Sequence, residues 1–205
     1  MLTIGYIHAG TVREETLQSL LRAVVGDLLD RRVISGVLGV PTTYHAHGRN
    51  ALCAQFLASD DRWLLMVDTD MVFTLADIYA LLDADKPVIA GLYLSRHEDH
   101  PPVWATGDHQ RFTEIPTHPI RLGSAGTGFM LIERQVLEKV VAEHTGDPWP
   151  WFGHDVIGAV RAGEDVSFCH RLAQLDIELW GHGGVQLGHI GTTALWPVEH
   201  QEVRQ

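Results

Sequence analysis

The sequence predicts an α/β domain with a mostly parallel central sheet and helices on both faces. Two observations carry this: strand and helix patterns alternate through the first third of the chain, and the run Trp63–Val67 is apolar throughout, as a strand buried on both faces must be. Residues 2–7 read as the first strand. Thr11, Val12, Arg13 and Glu14 then have a capping-box pattern, and Leu17, Leu20, Leu21, Val24, Val25, Leu28 and Leu29 recur at helical spacing. Residues 33–40 return as a strand, and 48–59 as a helix with Leu52, Cys53, Phe56 and Leu57 inward. After Trp63–Val67 the expected elements are a helix over Leu75–Asp83, capped by Thr74 and Asp77, and strands over 88–94 and 129–132. A helix over 134–144 turns Val136, Leu137, Val140 and Val141 inward; a last one opens at Gly163 and turns in Val166, Cys169 and Leu172. Two short strands, 177–180 and 185–187, close the pattern. The stretches 95–123 and 145–163 have no clear period and read as functional loops.

The 205 residues fit one domain, with a nucleotide-binding half over about 1–94, an acceptor-side half over about 95–191 and a tail over 192–205. A net charge of −11, with Lys86 and Lys139 as the only lysines, argues against nonspecific binding to nucleic acid. An anionic nucleotide would need a cation to mediate its contact with such a chain. The start lacks a signal-peptide pattern and no run reaches membrane-spanning length, so a cytoplasmic protein without membrane insertion is expected. Cys53 and Cys169 read as buried free thiols, and His97, His100, His109 and His118 as surface residues.

The chemistry-bearing residues stand at element ends. Asp68 and Asp70 follow the apolar strand, where open α/β sheets bind ligands, and both can serve one site only if the chain turns there. Magnesium or manganese takes carboxylates, water and phosphate oxygens, and manganese also takes imidazole, so one ion between Asp70 and His189 could hold a diphosphate. Glu164 and Asp165 start a helix, where either caps it or acts as a general base; adjacent residues point differently, and Asp165 is the choice for the base. Trp149, Trp151 and Phe152 could stack on a sugar or cover a core edge. Gly126 and Gly128 permit close backbone approach to a ligand.

Asp68-Thr69-Asp70, Gly126-Thr127-Gly128-Phe129-Met130, Gly163-Glu164-Asp165 and Gly188-His189 occur in the order found in nucleotide-sugar glycosyltransferases of the GT-A fold, which is Rossmann-like. The chain resembles a short, family-2-like member of that group, of the stand-alone bacterial or bacteriophage type. The resemblance spans the first strand to about residue 191. It implies that Asp68 faces ribose and metal, that Asp70 and His189 bind the metal, and that Arg49, Asn50 and Thr69 lie near the nucleotide. It also places His8, Ala9, Gly10 and Thr11 around the base, Gly126, Thr127 and Gly128 at the sugar, and Asp165 as the base of an inverting enzyme. The implied cofactor is Mn2+, with Mg2+ as the substitute, and the implied donor a nucleoside-diphosphate sugar, a UDP-sugar by preference. The acceptor hydroxyl would sit on a protein, a glycan or a modified nucleobase. Two other readings are a noncatalytic module binding nucleotide sugar or glycan, and a haloacid-dehalogenase-type phosphatase with Asp68 as nucleophile and Asp70 as acid/base.

Overall fold

A computed structural model describes residues 1–96, 99–107, 112, 115–191 and 194–195. The first half contains Leu2–His8 (β1), Glu14–Leu29 (α1), Ile34–Pro41 (β2), His45–Leu57 (α2), Trp63–Val67 (β3), Met71–Val72 (β4), Leu75–Asp83 (α3) and Val88–Leu92 (β5). The second contains Trp104–Ala105 (β6), Pro119–Leu122 (β7), Ser124–Ala125 (β8), Phe129–Glu133 (β9), Arg134–Glu143 (α4), Val156–Ile157 (β10), Val160–Arg161 (β11), Glu164–Gln174 (α5), Leu179–Gln186 (β12), Gly188–Ile190 (β13) and Ala194–Leu195 (β14).

Seven strands form the central sheet in the order β2-β1-β3-β9-β5-β12-β7. β2, β1, β3, β5 and β12 run one way, and β9 and β7 run against them. The sheet is thus mostly parallel, as expected, with β9 inserted antiparallel at its centre. Period-two alternation divides its side chains between two cores. Leu64 and Met66 of β3, with Met130 and Ile132 of β9, pack against α2, α4 and α5 through Phe56, Leu137 and Phe168. Leu65 and Val67, with Phe129 and Leu131, pack on the other face against α1 and α3 through Leu20, Ala23, Ile78 and Leu81.

Of the five helices among the described residues, only α3 starts on a side-chain cap. Thr74 and Asp77 form the expected capping box at α3. The Thr11 box does not form: α1 starts at Glu14 with Arg13 as its cap, and no side chain caps it. Its start is held instead by a tertiary hydrogen bond from Arg13 N to the Thr69 carbonyl, 3.0 Å. The two strands expected near the end are one, β12, with its register broken between His182 and Gln186; the following β13 pairs away from the main sheet, with β4. Cys53 and Cys169 are buried free thiols. His100 and His118 are exposed, while His97 and His109 lie outside the described residues. Among the described residues no helix is long and apolar enough to cross a membrane.

Candidate active site

β3 delivers Asp68 to the carboxyl end of the sheet, where its amide donates to the Gly128 carbonyl at 2.9 Å. The chain then turns, with Met71 N reaching back to the Asp68 carbonyl at 3.3 Å, and β4 departs to pair with β13. That pairing sets His189 opposite Met71, and Ile190 N donates to the Asp70 carbonyl at 2.8 Å. A residue more than a hundred positions downstream is thereby fixed beside the turn.

Asp70 Oδ1 is buried without a hydrogen-bond partner and lies 3.6 Å from His189 Nε2. His189 Nδ1 is 2.7 Å from the Leu94 carbonyl, which can only accept, so this nitrogen carries a proton and Nε2 is turned toward Asp70. Burial pulls the His189 pKa down, but Asp70 and the Leu94 carbonyl outweigh it and hold the ring above its ordinary value. Burial likewise pushes Asp70 up, yet His189 and Arg96 leave it below the usual carboxylate range. Arg96 Nη2 sits 2.9 Å from Asp70 Oδ2. An orphaned carboxylate oxygen facing an imidazole nitrogen is a donor pair that fits manganese, or magnesium with water and phosphate completing its shell. Among the described residues, however, no group of three or more His, Cys, Asp or Glu side chains is gathered for a metal. Asp68 pairs with Arg49, whose Nη2 lies 3.1 Å from Asp68 Oδ1.

Arg49, on α2, is the centre of a second cluster. Its buried guanidinium also meets Glu164 Oε1 at 2.6 Å and Asp165 Oδ1 at 3.4 Å, both from the first turn of α5. Burial alone would lower its pKa; the three carboxylates raise it above its ordinary value. His45 lies 3.6 Å from the same Glu164 oxygen, and with Arg49 it holds that carboxyl down at about 2. Asp165 goes the other way: burial, then the charges of Glu164 and Asp68, push it above the usual aspartate value against the pull of Arg49. The two neighbours are thus split into a fixed anion bound to Arg49 and a more basic carboxylate whose side chain is still 33% exposed.

That exposed side opens on a cleft of about 480 Å³, lined by Asp68, Arg96, Gly126, Asp165 and His189 among others. A second cleft, of about 390 Å³, lies at the start of α1 between residues 11–14 and Thr69 with Asp70. Thr11 and Thr69 therefore line a cavity; His8, Ala9 and Gly10 form the turn leading to it, where Gly10 has φ +100° and its amide donates to His8 Nδ1 at 3.1 Å.

Four expected ligand contacts need correction. Asn50 is buried, its amide donating to the carbonyls of Ala46 and Phe152 and accepting from the amides of Trp151 and Phe152, so it pins a loop and has nothing left for a nucleotide. Trp151 is buried with Nε1 donating to the Leu137 carbonyl, and Phe152 is wholly buried, stacked on Phe168 at 4.6 Å. Neither offers a face to a sugar. Trp149 is half-buried, edge-on to Tyr44. Thr127 is also wholly buried. Its glycine neighbours make room for Tyr93: a Cβ on Gly128 would lie 2.7 Å from the Tyr93 hydroxyl and 3.0 Å from Asp68 Oδ2, and one on Gly126, which still lines the cleft, would lie 2.4 Å from the same hydroxyl. Sequence reading missed Arg96, His45 and Tyr93. Arg96 follows the carboxyl end of β5, the same topological position that singled out Asp68, and could have been found by that rule.

No protein-family model matches the chain, and no curated protein matches it by sequence. Solved structures do resemble it. Protein A197 from STIV aligns over 93% of this chain and 86% of its own at 21% identity, with a TM-score of 0.63. GalNAc-T7, solved with UDP, GalNAc and Mn2+, aligns over 93% of this chain at 12% identity with a TM-score of 0.60; the match spans 44% of GalNAc-T7. The inositol-1-phosphate CTP transferase from T. maritima aligns over 92% of this chain and 88% of its own at 9% identity, with a TM-score of 0.54. The fold is of the GT-A type.

Proposed function

We propose that this chain is a divalent-metal-dependent glycosyltransferase that moves a sugar from a nucleoside-diphosphate sugar to an acceptor hydroxyl with inversion. The observation that carries this reading is that Asp70 with His189, a metal-competent pair, adjoins a cleft into which the more basic carboxylate Asp165 also opens. The presence of UDP, GalNAc and Mn2+ in GalNAc-T7 supports the same assignment of ligands to the fold.

In this reading Asp70 and His189 would hold Mn2+, or Mg2+ in its place, which when bound would supply neutralisation of the charge on the departing diphosphate. The nucleotide, UDP by preference, takes the cleft of Thr11 and Thr69, with His8, Ala9 and Gly10 shaping its edge. Asp68 accepts from the ribose while Arg49 fixes its orientation. Asp165 takes the proton from the acceptor hydroxyl as that oxygen attacks the anomeric carbon. Glu164 stays ionised against Arg49 and holds the α5 start in place. Trp149 is the remaining candidate platform for a sugar face. Residues 1–94 form the nucleotide side and 95–191 the acceptor side; the acceptor is a hydroxyl on a protein, glycan or modified nucleobase.

A thermal-stability screen of nucleotide sugars with and without Mn2+ tests the reading, because a ligand that binds only the folded state raises the melting temperature by mass action. At least one nucleoside-diphosphate sugar should raise it, and only with the metal. A rise with nucleoside triphosphates and with no nucleotide sugar would replace glycosyl transfer by nucleotidyl transfer.

A further inference from the structure

The helical spacing in α1 suggests a conventional inward apolar face, yet the structure buries the other side. Thr16, Ser19, Leu20, Ala23 and Asp27 face the protein, while Leu17, Leu21, Val25, Leu28 and Leu29 are between 48% and 85% exposed. At 100° per residue these five fall on one arc, with Val24, half-buried, at its margin. Contiguous exposed apolar surface of this kind is uncommon on a monomer and marks an interaction surface.

The charges at the ends of the stripe name the occupant. Exposed Glu14 stands at its start and exposed Arg32 just beyond its end. Glu14 Oε1 accepts from Gln18, whose own oxygen accepts from Arg22, and Arg32 Nε donates to the Leu28 carbonyl. Arg31 is turned away into its pair with Asp83. A two-fold axis level with residue 23 therefore matches the stripe to itself in reverse. Leu21 of one copy meets Val25 of the other, Leu17 meets Leu29, and Glu14 meets Arg32 at both ends. The acidic start and the net charge of −11 make an anionic bilayer a poor match for the same face.

We propose that α1 is a self-association surface on which two copies of this chain pair through antiparallel α1 helices. The helix is about 24 Å long, enough for two or three layers of interlocking side chains. A helix pair of this length buries less than the roughly 800 Å² per partner of a standard interface, so the dimer is reversible and concentration-dependent. Because α1 also carries Glu14 at the cleft of Thr69 and Asp70, pairing brings Arg32 of the second copy to the rim of that cleft.

Sedimentation velocity over a concentration series tests this. The wild type should pass from monomer to dimer, whereas Leu21→Glu and, independently, Val25→Arg should stay monomeric with unchanged circular dichroism. Glu14→Arg should weaken the dimer, and Glu14→Arg combined with Arg32→Glu should restore it. A wild type that stays monomeric up to its solubility limit would overturn the proposal, as would a dimer indifferent to both apolar substitutions or a double reversal without recovery. Binding of the wild type to phosphatidylcholine vesicles in place of self-association would overturn it in favour of a bilayer occupant.

Discussion

Asp165 and Glu164 are chemically similar neighbours in the first turn of α5, and their surroundings make them different groups. Glu164 has the shortest contact to Arg49, 2.6 Å, and the help of His45, so it is committed to its anion. Asp165 has a longer contact, 3.4 Å, and is pushed up by burial and by two like charges. A base acts on the acceptor and not on donor binding, so Asp165→Asn should retain donor affinity while transfer falls by roughly two to four powers of ten. Asn keeps the size of Asp, and α5 starts at Gly163 without a side-chain cap, so lost chemistry is not confused with a lost helix start. Because the base must be ionised, kcat/KM should climb with pH along a limb lying above the ordinary aspartate value of about 3.9, and Asp165→Asn should remove that limb. Donor titration beside product formation, with the anomeric configuration read by NMR, is the measurement. Full transfer in Asp165→Asn, or a retained configuration, would dismiss Asp165 as an inverting base, whereas donor binding without any transfer in the wild type would leave a noncatalytic binding module as the better account.

At the scale of elements, the site depends on α5 being held against the loop before it. Arg171, buried on α5, donates to the carbonyls of Trp149 and Pro150, each at 2.7 Å, and to both oxygens of Asp155 at 2.6 and 2.9 Å, with Asp147 at 3.0 Å. Removing it leaves two carbonyls and a carboxylate without their donor. Arg171→Met should cost about 3 kcal/mol in urea unfolding, in the range for breaking a buried ion pair. Arg171 holds the Asp155 carboxyl below its ordinary value, so this part of the stability is present above the unfolded pKa of about 3.9 and fades as the pH drops through the lower folded value. In Arg171→Met that acid-dependent component should shrink. A variant as stable as wild type at neutral pH would show that the loop is held by its apolar packing alone. The same element was only partly legible in sequence. Its start, at Gly163 followed by two acids, was readable as a helix N-terminus, and Val166, Cys169 and Leu172 had the spacing of an inward face. Val166 is nonetheless 39% exposed, at the edge of the cleft, and Arg171 carried no local signal because its partners lie in a loop without periodicity.

For the whole molecule, the alternating strand and helix patterns led directly to the sheet, since a strand buried on both faces has no polar position to spare and Trp63–Val67 has none. The antiparallel direction of β9 was not legible, because a five-residue apolar strand reads the same in either direction. The turn at Asp68 and Asp70 was readable from the end of the apolar run. Its pairing with His189 rests on the β4 and β13 ribbon, a contact between distant segments that no local pattern encodes. Burial takes Asn50 away from the nucleotide and decides Trp151 and Phe152 for the core edge, because residue types suited to ligands are equally suited to closing a core and only burial distinguishes the uses. The two clusters that emerge divide the charge of the site. Arg49 is outnumbered by three carboxylates, whereas Asp70 has Arg96 on one oxygen and turns its unsatisfied one toward His189. In a chain of net charge −11 the proposed function therefore requires a cation at that second cluster for a diphosphate to bind. Calorimetric titration of the wild type with UDP in Mn2+ and in chelator tests this most directly, with Asp70→Ala and His189→Ala as partners. Binding in Mn2+, little in chelator, and loss of the metal-supported binding in both variants at unchanged circular dichroism is the predicted result; equal affinity with metal and with chelator would contradict it.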